Sequence, residues 1–161
     1  MGGMDMADAA LLQRAFTAIT QFLIANGRAP HYTELSKELD LAPREARELL
    51  PELFEAAGGI CWFANNTRYI GAWPPFSNSP TQYLISVDGE RRWYGQCGLE
   101  SLAFSPVFPG KDVQIDALTL TTAEPVRVRY RDGDLLEVFP DTAVCHVNVP
   151  VKKWLNDLPF A

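Results

Sequence analysis

The stretch Pro74-Pro75-Phe76-Ser77-Asn78-Ser79-Pro80 cuts this chain of 161 residues into two parts with different hydrophobic periods. Proline fixes φ and has no N–H, so neither a regular helix nor an inner strand runs through such a segment. It reads as a rigid, turn-rich crossing, with one domain over residues 1–73, a linker over 74–80 and a second domain over 81–161. A chain of this length suffices for one medium domain or for two small ones sharing an interface.

The first part has helical periodicity. Leu11, Leu12, Ala15, Phe16, Ile19, Phe22 and Leu23 recur at helix spacing over residues 8–25, and Asn26-Gly27 is a usual helix stop. Thr33–Leu39 predicts a short second helix. Pro43 starts a third, carrying Ala46, Leu49, Leu50, Leu53 and Phe54, which Pro51 should kink or divide. The apolar runs 60–63 and 69–72, joined through Asn65-Asn66, predict a β-hairpin. Three helices and a hairpin in this order describe a winged-helix-like domain. Winged helices often contact DNA, yet the third helix sets Arg44 and Arg47 against Glu45, Glu48, Glu52 and Glu55. With 14 basic and 20 acidic side chains in the chain, the phosphate-binding footprint is missing. Nucleic acid is therefore disfavoured as a partner, and packing or homodimerisation is expected of this domain.

The second part alternates. Tyr83–Val87, the turn Asp88-Gly89 and Arg91–Tyr94 predict a hairpin, with further strands over 112–118, 126–130, 135–139 and 143–149. The expected fold is α+β: a winged-helix-like helical domain, then a mostly antiparallel sheet carrying one short helix. No apolar run reaches the length of a membrane span, and Met1-Gly2-Gly3-Met4-Asp5-Met6 lacks a signal-peptide layout, so a cytoplasmic protein without membrane contact is expected. Cys61, Cys97 and Cys145 are odd in number and form no CxxC pair, which points to free thiols rather than disulfides or zinc.

Chemistry concentrates in Arg92-Trp93-Tyr94-Gly95-Gln96-Cys97-Gly98-Leu99-Glu100-Ser101-Leu102-Ala103-Phe104, read as a strand end, a turn at Gly95 and a helix start. Cys97 and Glu100, three apart, share one face there. A helix N-terminus favours thiolate, the form that attacks and binds soft metals, and a neighbouring carboxyl can hold or deliver a proton. The alternative is a small core thiol beside a solvated Glu100. Cys145, in the expected last strand, shares a face with Ala143, Val147 and Val149, either as a core thiol or as a second soft ligand reaching Cys97. His146 falls on the other face and His31 opens the second helix, both as surface residues; Cys61 is structural.

The linker Ala72-Trp73-Pro74-Pro75-Phe76-Ser77…Pro80-Thr81, the run Trp93–Leu102 and the stretch Val147-Asn148-Val149-Pro150-Val151-Lys152-Lys153-Trp154-Leu155-Asn156-Asp157 together resemble the alkylmercury lyase (organomercurial lyase) family. The resemblance implies protonolysis of a carbon–mercury bond without a bound cofactor. One thiolate captures the organomercurial, a second joins it, an acid three residues after the first protonates the leaving carbon, and Hg²⁺ passes to cellular thiols. Mercury is soft and thiolate its natural ligand. By carry-over Cys97 is the first thiol, Glu100 the proton donor and Cys145 the candidate second mercury ligand. Two departures accompany the likeness. Glu100 stands where the family has aspartate, and a displacement of about 1 Å in the acid is worth on the order of a hundredfold in rate. The family's second cysteine usually follows an aromatic-containing segment in the carboxy-terminal third, so either Cys145 supplies it or the chain is a carboxy-terminally truncated member. The rival reading is a non-catalytic thiol-based mercury-binding or transcription-regulatory winged-helix protein.

Overall fold

The structure, a computed structural model, describes residues 6–58, 60–146, 150 and 153. Two compact units divide the chain, residues 1–73 and 74–161.

The first unit is built on helix α1 (Met6–Asn26), which buries Leu12, Ala15, Ile19 and Leu23 along one stripe. Gly27, at φ 69°, ends it, donating its N–H to Leu23 O at 2.9 Å. Helix α2 (Tyr32–Leu39) begins at a capping box. His31 Nδ1 accepts from Thr33 N–H, and Glu34 accepts from His31 N–H at 2.8 Å. Helix α3 (Pro43–Ala56) runs unbroken through Pro51 instead of being divided there. The proline removes one i→i−4 bond, while Ala46, Leu49, Leu50, Leu53 and Phe54 keep a continuous buried face that outweighs it. Strands β1 (Trp62–Phe63) and β2 (Ile70–Trp73) pair antiparallel. Trp73, wholly buried, fixes this hairpin to α1: its indole N–H donates to Thr20 Oγ1 at 3.0 Å and its ring lies 4.9 Å from Phe16.

In the second unit, strand β3 (Phe76–Ser77) forms inside the proline-rich crossing and pairs with β5 (Glu90–Gly95). Strand β4 (Leu84–Val87) joins β5 through Asp88-Gly89, both at positive φ, as the tight turn demands. Helices α4 (Gly98–Leu102) and α5 (Phe104–Val107) follow, then strands β6 (Val113–Leu118), β7 (Pro125–Arg131) and β8 (Asp134–Phe139). The strand order is β3-β5-β4-β6-β7-β8, antiparallel at each junction. Register places Ile85 opposite Ile115 and Val87 opposite Val113, so their side chains share one face with Trp93. Phe104 and Phe108 pack there, with ring centroids 4.7 Å from Phe76 and 4.9 Å from Trp93 respectively.

The strand expected over 143–149 is not seen where the chain is described. The sheet ends at Phe139, residues 143–146 take no strand conformation, and 147–149 lie outside the described residues. Pro140 has no N–H to continue the ladder. Cys145 is consequently exposed rather than turned toward the apolar side. Among the described residues no helix is long and apolar enough to cross a membrane.

Candidate active site

Strand β5 delivers the chain to Gly95, and the backbone leading to Cys97 is then held by hydrogen bonds. Gly95 N–H donates to Tyr83 O at 3.0 Å, Thr81 Oγ1 donates to Gly95 O at 2.7 Å, and Gln96 N–H donates to Pro75 O at 3.1 Å. Cys97 does not lie within the helix; it is its N-cap, with extended backbone (φ −151°, ψ 178°). The Sγ accepts from the N–H of Glu100 at 3.4 Å, within the range for sulfur, so a cysteine performs the task usually given to serine or aspartate. A sulfur held this way already has one donor aimed at it.

Glu100 stands at the third helical position, half-buried, and burial pushes its carboxyl above the ordinary glutamate range. Such a group retains a proton to higher pH than a surface glutamate does. Ser101, wholly buried, donates its Oγ to Cys97 O at 2.7 Å. Across the turn, Tyr83 fills the space left by Gly98: a Cβ there would meet its hydroxyl at 3.4 Å. Thr81, Tyr83 and Ser101 escaped the sequence reading because a lone hydroxyl in a strand or helix does not announce its partner. The one available signal was the glycine at 95, where a buried strand end lacks a side chain.

Cys145 follows β8 and sits near Tyr130 of β7, whose phenol is raised first by burial and then by the negative charge of a Cys145 thiolate. Cys61 is buried in the first unit. His31 is occupied as the α2 cap, and its ring packs tilted against Tyr32 and Tyr69, with centroids 4.0 and 5.1 Å away. His146 is exposed. Among the described residues no group of three or more His, Cys, Asp or Glu side chains could hold a metal ion. Open grooves along α1 and beside Asp116 and Arg127 are not lined by Cys97.

Fold and site define an α+β protein in which a cysteine caps a short helix bearing a desolvated acid. The family profile of MerB, alkylmercury lyase, matches residues 76–159, slightly more than half of the sequence, and the chain belongs to that family. The alkylmercury lyase of Streptomyces lividans is 27% identical over 128 residues, covering 80% of this chain and 55% of that protein. That of Bacillus cereus is 34% identical over 71 residues, covering 44% and 32%. The chain thus matches only about half the length of the first relative and a third of the second. A crystal structure of the mercury-bound form of MerB2 superposes with a TM-score of 0.58 at 21% identity, over 84% of this chain and 66% of that one, a likeness of fold.

Proposed function

We propose that the chain is an organomercurial lyase that uses Cys97 as the capturing thiolate and Glu100 as the proton donor. Family membership and the mercury-bound state of the structural relative support the substrate class. The observation that carries the residue roles is the capping bond: the thiol sulfur sits on the amide of the residue that also bears the acid.

In the proposed reaction Cys97 thiolate displaces the ligand of R–Hg–X, giving R–Hg–S(Cys97) and X⁻. A second thiolate adds to mercury and pushes electron density onto carbon. The Glu100 carboxylic acid then transfers its proton to that carbon as the carbon–mercury bond breaks, releasing R–H and leaving Hg²⁺ on two thiolates and Glu100 as carboxylate. Solvent returns the proton, and free thiols carry the metal away. The desolvated setting of Glu100 favours its protonated, donating form. The second thiolate is a small-molecule thiol or Cys145, whose exposed position leaves it open to solution.

Methane release from methylmercury in excess small thiol tests this reading, with the intact chain compared with Cys97→Ser and Cys145→Ser. Loss of turnover only in Cys97→Ser assigns the second ligand to the solution thiol, and loss in both assigns it to Cys145. Mercury binding without methane from the intact chain overturns the lyase reading in favour of a thiol-based binding protein.

A further inference from the structure

Ser101 differs from the other hydroxyls around the thiol. A helical serine that bonds back to the carbonyl four residues earlier is common, and Ser101 does so to Cys97 O at 2.7 Å, beside its own N–H at 3.0 Å. What sets it apart is the second surface its oxygen meets. A Cβ built on Gly95 would fall 2.1 Å from Ser101 Oγ and 3.1 Å from Ser101 Cβ. The hydroxyl therefore occupies the space that Gly95 leaves open at the end of β5. It stands between the strand before Cys97 and the carbonyl of Cys97 itself, with no exposure to solvent.

We propose that Ser101 is a positioning residue for Cys97: its hydroxyl, wedged between Gly95 and the Cys97 carbonyl, fixes the rotation of the cysteine and keeps Sγ on the Glu100 amide. Cys97 is extended and is followed by Gly98, which imposes little restraint of its own. Without the hydroxyl the Cys97 carbonyl keeps only the Ser101 N–H and the Gly95 side of the wedge is empty, so the cysteine gains room to rotate and its sulfur to leave the Glu100 amide. A thiolate deprived of a hydrogen-bond donor forms less readily. The inference rests on the lyase reading for the purpose of the thiol, while its test does not require turnover.

The experiment is alkylation of Cys97 by iodoacetamide as a function of pH, read by mass spectrometry on the Cys97 peptide of the intact chain, together with methane release. In Ser101→Ala the pH midpoint is expected to move upward and the rate at neutral pH to fall about three- to tenfold, the worth of one hydrogen bond. Gly95→Ala, which displaces the hydroxyl, should do the same, and the double variant should lose no more than the worse single one. Lowered melting temperatures with an unchanged alkylation profile would show that Ser101 only packs, and the proposal fails. Should the alanine variant not fold, Gly95→Ala alone carries the test: it displaces the hydroxyl while leaving Ser101 in place, the upward shift must appear in it, and an unchanged profile refutes the positioning role. No methane from the intact chain, with the Ser101→Ala shift present, overturns the lyase reading alone; methane with no shift overturns the positioning role alone.

Discussion

Glu100 carries two opposed consequences of the same burial. Desolvation favours its neutral form, which serves proton delivery, and it penalises the folded state whenever the carboxyl is ionised. The sign follows from linkage: with the folded pKa raised, the penalty is absent below the ordinary glutamate value and complete above the raised one. Glu100→Gln is thus expected to raise the melting temperature at pH 7 to 8, with the gain vanishing near pH 3, as thermal scans across that range would read. The same substitution removes the proton donor, and methane release should fall about 10²- to 10⁴-fold. Spacing placed Cys97 and Glu100 at one helix start, and the structure joins them there through the Glu100 N–H on the sulfur, a cap that spacing does not specify. The exposure of Cys145 was not legible, because alternation assigns faces only within a strand and Pro140 ends the ladder first.

Among the elements, α2 is held at its start by the box of His31 and Glu34, reinforced by Arg28 on the Glu34 carboxylate at 2.7 Å. The Arg28 bond, followed by the His31 N–H, lowers the Glu34 pKa to about 2. Here the sign is reversed: the stabilisation is present above the ordinary glutamate value and lost as pH falls through the folded one. Glu34→Gln should cost about 1 kcal/mol at pH 7, a usual worth for a cap, and almost nothing near pH 2, which urea titrations at the two pH values check. Its capping role was hidden because histidine is an uncommon N-cap. Helix α3 was foreseen in extent, but its passage through Pro51 was not, since propensity counts the lost hydrogen bond and not the buried face of Leu50, Leu53 and Phe54. The hairpin depends on Trp73. Trp73→Ala should cost about 3–5 kcal/mol by emptying a filled site, whereas Trp73→Phe should cost about 1 kcal/mol for the bond to Thr20, both measurable by chemical denaturation.

For the whole molecule, the order of helices and strands was legible because periodicity changes at the prolines and each tight turn carries an Asp-Gly pair, 88–89 and 132–133. The strand inside the proline crossing was not, since two residues give no period to read. Charge is spread as pairs. Arg127 meets Asp116, and Arg129 and Arg131 meet Asp112 at 3.6 and 2.9 Å on exposed sheet surface. Asp112→Asn should change stability by less than about 1 kcal/mol and less still in high salt, as denaturation at two ionic strengths would show. The fastenings of Cys97 come from Pro75, Thr81, Tyr83, Glu100 and Ser101, all within one stretch of 27 residues (75 to 101). The closing loops are short, and their entropy cost is correspondingly small. None of these bonds involves β7 or β8, so fraying of that edge strand and release of the Cys97 loop are separable events, although the β7–β8 turn reaches α5 through Gly133 N–H on Ser105 Oγ.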